Sequence, residues 1–136
     1  LDLCSSWVSH LPLTYQGDQT SSRVVGVGMN SEELQHNPQL TEWLVQDLNV
    51  DPILTYTDNS FDVVLCQLSI DYLTQPISVI KEAGRVLRPG GQIIISFSNR
   101  VFIDKAIAGW TGNTDIDHIE RVGAYIHFSE KFTEPL

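Results

Sequence analysis

Basic residues are scarce in this chain. Lys and Arg number 8 against 17 Asp and Glu in 136 residues, a formal net charge of −9. Binding along a nucleic-acid backbone needs clustered cations. The few present, among them Lys81, Arg85 and Arg88, read as a solvated helix face, so nucleic acid is not expected as a partner. Cysteine is as sparse, with Cys4 and Cys66 only. There is no CxxC pair and no Cys/His spacing of a metal site, so no metal is expected. The reading is free thiols in a reducing compartment, plastid or cytoplasm, with a Cys4–Cys66 disulfide as the lesser alternative. No apolar run is long enough to span a membrane, and no secretory leader is visible. An initiator Met is also missing, and the first residues already read as a strand. That implies a chain trimmed, processed or partial at its N-terminus.

The remaining composition suits one domain over residues 1–136. Hydrophobic residues make up 42% and charged ones 18% of the chain, enough for a real core. Leu1–Cys4 reads as the tail of a buried strand, and Trp7–Leu11 as a short helical turn stopped by Pro12. Thr14–Ser22 is polar and loop-like, and Arg23–Asn30 is a second strand ending in a turn. Ser31 then reads as a helix N-cap with Glu32 and Glu33 in an acidic first turn, and Pro38 divides residues 31–44 into two short helical pieces. Leu44–Asn49 is a third strand. Phe61–Ser69 is an almost unbroken apolar run, the pattern of a strand covered on both faces. Leu73–Arg88 places Ile77, Ile80, Ala83, Val86 and Leu87 on one helix face. Gly84 within it marks close packing, and Pro89-Gly90-Gly91 stops it. Gln92–Asn99 is a further buried strand. Phe102–Trp110 and Asp115–His127 read as helices, with Ile116 and Ile119 facing inward, and 129–136 as a connection.

Alternating strands and helices predict an α/β fold, a Rossmann-like, mostly parallel sheet with helices on both faces. Ligands in such sheets sit beyond the carboxyl ends of the strands, where the strand order reverses. The residues to watch are therefore Cys4–Trp7, Met29 and Asn30, Asp47–Asn49, Gln67–Tyr72 and Ser96–Arg100.

The stretch "SFDVVLC", the amphipathic helix after it and "EAGRVLRPGGQIIIS" resemble the class I S-adenosylmethionine-dependent methyltransferases, of the small-molecule, type 11-like kind with an RVLKPGG turn before the fifth strand. The resemblance covers essentially the whole chain. The combination of "LCSSW", "SHLP", "GMN" and "QDLN" is similar to a sub-branch found in photosynthetic organisms. The resemblance implies S-adenosylmethionine as cofactor and a small-molecule methyl acceptor. It implies a cofactor-binding set of Asp2, Cys4, Ser6, Met29, Asn30, Asp47, Leu48 and Gln67, with Asp71 and Tyr72 on the substrate side. Asp2 takes the acidic position of the first strand, and Asp47 the one near the adenine. Met29 and Asn30 stand where an acidic residue usually holds the ribose. Two further strands usually come after the last helix, so the chain is expected to stop before them and the fifth strand to lie near an exposed edge.

The sequence departs from this pattern in its first loop. Cys4, Ser6 and Val8 stand where three glycines are usual. Glycine reaches backbone angles closed to other residues and lets the main chain approach a ligand. Cys4 and Ser6 are small enough to leave room, whereas Trp7 and Val8 are expected to turn towards the core. Methyl transfer needs a base only when the acceptor must lose a proton. His10, Asp71, Tyr72 and His118 are candidates by location, but none has a partner visible in sequence, so no catalytic residue is assigned. Asp115–Glu120 is an acidic helix start rather than a metal site, and Trp43 and Trp110 are packing residues. The competing reading is a methyltransferase-like module without catalysis, serving as a subunit of a larger assembly such as a plastid complex.

Overall fold

The computed structural model describes residues 1–12, 22–99, 102 and 104–133. Among the described residues five strands form one sheet: β1 (Asp2–Leu3), β2 (Val25–Gly28), β3 (Glu42–Val45), β4 (Phe61–Gln67) and β5 (Leu87–Ser96). Their order is β3-β2-β1-β4-β5, and every neighbouring pair is parallel. The chain builds outward from β1 through β2 to β3. It then returns to the other side of β1 and builds outward again. The order therefore reverses between β1 and β4. Crossovers of one hand that step in opposite directions place their helices on opposite faces. Thus α1 (Ser31–His36) packs on β2 and β3, whereas α2 (Pro76–Val86) packs on β5, with α3 (Asp115–Ser129) against α2. The Rossmann-like expectation is what the structure shows.

Apolar burial explains the central strands. Leu3, Val25, Val27, Val64 and Cys66 are buried, and Ile70, Ile80, Val86 and Trp110 pack in the same core. α2 begins with proline in its first turn, where a missing N–H is harmless. Gly84 is the close approach expected of it, since a Cβ there would collide with Lys131 just beyond α3. Arg85 is not a solvated cation. Its guanidinium donates to Glu82, to Asp58 and to the carbonyls of Leu54 and Tyr56, pinning the β3–β4 connection onto α2.

Several expected boundaries move, each for a local reason. Trp7–Leu11 is not helical. Its main-chain groups bond to side chains, Ser9 and Leu11 N–H both donating to Gln39 Oε1 at 3.0 and 3.4 Å, and His10 has a φ of 50°. The second helical piece after Pro38 is absent, because Thr41 N–H donates to the Val24 carbonyl at 2.8 Å and leads into β3. β3 ends at Val45 rather than Asn49, since the N–H groups of Val50 and Asp51 turn back onto the Asp47 carbonyl. Leu87–Gly91 belongs to β5, with a bulge opposite Phe61–Val63. In place of the expected Phe102–Trp110 helix the described residues form only a single 3₁₀ turn, Ala108–Trp110, and another, Ile70–Tyr72, precedes α2. The α1 cap is Asn30, not Ser31. In α3 the inward stripe is His118, Val122, Tyr125, Ile126 and Ser129, spaced for one helix face. Ile116 and Ile119 are 67% and 61% exposed. Trp7 and Val8, each 49% exposed, face out rather than into the core. Residues 14–21, Arg100 and 134–136 lie outside the described residues.

Candidate functional site

The loop leaving β1 carries the geometry of a glycine loop without its glycines. Cys4 has a φ of 56°, a left-handed conformation that an L-residue enters at a cost of about 1–2 kcal/mol. The chain then folds across the end of β2, with Ser5 N–H donating to the Val27 carbonyl at 2.8 Å. That approach leaves no space on β2. A Cβ at Gly28 would collide with the Ser5 carbonyl oxygen. The glycine required for close approach therefore sits on the neighbouring strand.

Side chains hold the loop from below. Asp2 is buried beneath it. Burial pushes its carboxyl above the ordinary range, and hydrogen bonds from the Ser9 and Ser5 hydroxyls oppose that rise. Asn37 donates to the Ser6 carbonyl at 2.8 Å and to Ser9 Oγ at 3.0 Å. From β4, Gln67 Nε2 donates to the Ser9 carbonyl at 3.1 Å. Asp2 and Gln67 thus contact the loop rather than the space above it.

Beyond the strand ends lies a cleft of about 910 Å³, within the range of small-molecule sites. Cys4, Ser6, Met29, Asn30, Asp47 and Leu48 line it, and Tyr72 stands in its wall. Met29 is exposed, whereas Leu48 is buried as a floor. The Asp47 Oδ1 accepts the Asn49 N–H at 2.9 Å. The Asn49 side chain then ties this turn to the other half of the sheet, donating to the Tyr72 carbonyl at 3.0 Å and accepting from Thr74 N–H at 2.8 Å. Asp71 is buried outside the cleft lining, and burial raises its carboxyl pKa. Tyr72 Oη accepts from Phe102 N–H at 3.4 Å. Burial, more than the neighbouring Asp71, pushes its phenol above the usual tyrosine range, and its hydroxyl donates to the buried Asp71 carboxylate. His118 lies buried under Trp110, ring centroids 4.3 Å apart, and His10 is outside the cleft lining. Cys4, in the loop leaving β1, and Cys66, buried on the neighbouring strand β4, are free thiols.

Sequence reasoning passed over Glu33, Phe102 and Lys105, and also Val27, Gly28, Ser31, Gln46 and Leu73, in the cleft lining. A signal for Glu33 was available. Asn30 to Glu33 is the cap-to-third-residue spacing of a capping box, which turns the acid back towards the strand end. Nothing in local pattern announces Phe102 or Lys105, because the long 97–107 connection carries them to the cleft.

Comparison with known proteins places this geometry. The methyltransferase domain profile matches residues 4–95, and the chain belongs to that family. A malonyl-[acyl-carrier protein] O-methyltransferase of Hahella chejuensis is 27% identical over 119 residues, 86% of this chain and 42% of the relative. A ubiquinone/menaquinone biosynthesis C-methyltransferase of Roseobacter denitrificans is 35% identical over 78 residues, 57% of this chain and 30% of the relative. The chain thus spans less than half the length of these curated relatives. Among solved structures, a SAM-dependent methyltransferase from Aquifex aeolicus superposes with a TM-score of 0.64 at 15% identity, covering 94% of this chain and 69% of that one. The [4+2]-cyclase SpnF superposes at 0.62 and 17% identity, over 91% and 49%. At such identities the likeness is one of fold. One fold here carries both a methyltransferase and a cyclase, so function must be argued from the site.

Proposed function

We propose that the protein binds S-adenosylmethionine in the cleft beyond β1, β2 and β3 and transfers its methyl group to a small-molecule acceptor. The observation that carries this reading is the convergence of Cys4, Ser6, Met29, Asn30, Asp47 and Leu48 on one cleft at the point of strand-order reversal, in a chain of the methyltransferase domain family.

The residues fit the group. Met29 and Leu48 offer apolar surface to the adenine, and the Asp47 carboxylate and Asn30 amide offer hydrogen-bonding partners beside it. The Cys4–Ser6 main chain borders the amino-acid end. Asp2 and Gln67 act through the loop as positioning residues. S-adenosylmethionine supplies a methyl group already activated on sulfonium, so the protein's task is alignment. Tyr72, Phe102 and Lys105 form the remaining wall, assigned to the acceptor. Tyr72, its hydroxyl engaged by Asp71, shapes this wall, and the Lys105 ammonium suits an acceptor with an anionic group.

Calorimetric titration with S-adenosylhomocysteine tests the reading, with saturable binding in the micromolar range expected. Absence of heat and of any melting shift at millimolar ligand would overturn it. Binding without turnover of any acceptor would favour a silent, assembly-type module.

A further inference from the structure

Resting on that reading, we infer that Glu33, in the first turn of α1, is the carboxylate that receives the ribose hydroxyls of the cofactor. The end of β2 offers no acid for this purpose. Gly28 has no room for a side chain, because a Cβ there meets the Ser5 carbonyl. The Met29 thioether is only a weak acceptor. Asn30 Oδ1 already accepts from the N–H groups of Glu32 and Glu33, at 3.0 and 3.3 Å. Its Nδ2 donates to Glu33 Oε1 at 3.1 Å. One helical turn on, Glu33 lines the cleft.

Two donors fix its carboxylate there. Ser6 Oγ donates to Oε2 at 2.6 Å, and Asn30 donates to Oε1. Ser6 belongs to the loop after β1 and Asn30 to the end of β2, so the carboxylate is held between the two elements that border the cleft. An ionised carboxylate has about four acceptor positions. Two are filled, leaving one on each oxygen, the number a vicinal diol requires. Ser6, standing where the loop pattern has a glycine, thereby orients the acid. Glu32, next in sequence, is exposed and is not part of the lining, which makes it a matched control.

The test compares S-adenosylhomocysteine with its 2′,3′-dideoxy analogue by calorimetry. The unsubstituted protein should prefer the parent compound at least about tenfold, as expected for hydrogen bonds to a charged acceptor. Glu33→Gln should lose most of that preference, whereas Glu32→Gln, which removes the same charge from the same turn, should keep it. Glu33→Asp, which keeps the charge but withdraws it by one methylene, should lose the preference too and serves if Glu33→Gln folds poorly. If the unsubstituted protein binds the parent compound and the Glu33 variants retain its preference for the diol, this inference falls and the cofactor reading stands. If the unsubstituted protein does not bind at all, the cofactor reading falls and carries the inference with it.

Discussion

The two halves of the sheet, which meet between β1 and β4, are built differently. β4 and β5 run for 7 and 10 residues and pair along most of their length. Apolar side chains of α2 pack on one face of β5, whose Ile94 is 49% exposed on the other, and one arginine anchors the preceding connection. β1, β2 and β3 have only 2, 4 and 4 residues. Their short pairing is supplemented by hydrogen bonds with the loop after β1, which Asn37 and Gln67 donate to it and Asp2, Gln39 and Glu33 accept from it. The β4–β5 half rests on long strand pairing and the α2 core. The other half is also buried, β1 and β2 at every residue, but its short strands rely on polar side chains around the loop, and it supplies the cleft. Substitutions in the two halves should therefore separate stability from ligand affinity.

The largest separation is expected from Ile80→Ala, in the core of the β4–β5 half. It should lower unfolding free energy by about 2–5 kcal/mol, measured by urea denaturation, with little change in ligand affinity while the protein remains folded. Equal loss of affinity would contradict the division. Gly28→Ala acts in the other half. Its methyl must displace the Ser5 carbonyl, costing about 1–3 kcal/mol as overpacking and weakening S-adenosylhomocysteine binding by about tenfold or more. A variant that binds normally would show that the loop's seat on β2 is irrelevant to the ligand.

Acid should affect the halves in opposite senses. The Arg85 guanidinium holds Glu82 below its usual pKa. The stabilisation from Glu82 is therefore complete above its unfolded value and is lost as pH falls through the lowered, folded one. Asp2 is shifted upward, chiefly by burial. Its ionised form burdens the fold as pH rises from the unfolded value through the folded one, and acid relieves that burden. Urea midpoints across the carboxylate range should show Glu82→Gln flattening the acid-side loss and Asp2→Asn removing a contribution of the opposite slope. Identical slopes for the two variants would contradict the assignment. The smallest effect is expected from Cys4→Gly. Relief of the left-handed conformation is offset by a more flexible unfolded chain and by lost packing, so stability should change by less than about 1 kcal/mol. Calorimetry should show ligand affinity preserved. A large loss of stability would show that the loop depends on the Cys4 side chain.

The sequence revealed the two halves unequally, for the same physical reason. The β4–α2–β5 unit is specified by periodicity, with an apolar run, a helix stripe and a Pro-Gly-Gly turn, all local signals. The parallel sheet was legible from these and from the valines of β2. The cleft was legible as a set of strand-end positions, of which Cys4, Ser6, Met29, Asn30, Asp47 and Leu48 do converge. Gln67, chosen by the same rule, and Asp2, assigned from the family resemblance, turn under the loop, because a buried carboxylate and amide bond to the nearest hydroxyls and carbonyl. Gln39, whose one amide takes three main-chain groups at residues 9 and 11, could not be found from spacing. That contact exists only once the chain is folded, and it explains why Trp7–Leu11 has no helix.

The most direct test of this division is hydrogen exchange of the protein with and without saturating S-adenosylhomocysteine. A cleft built on the polar half predicts slowed exchange in peptides covering Cys4–His10, Gly28–Glu33 and Asp47–Asn49, and none around Gly90–Ile93 or the outer turns of α3. Protection confined to the opposite end of the sheet, around Arg23, Ser60 and Arg88, would contradict it.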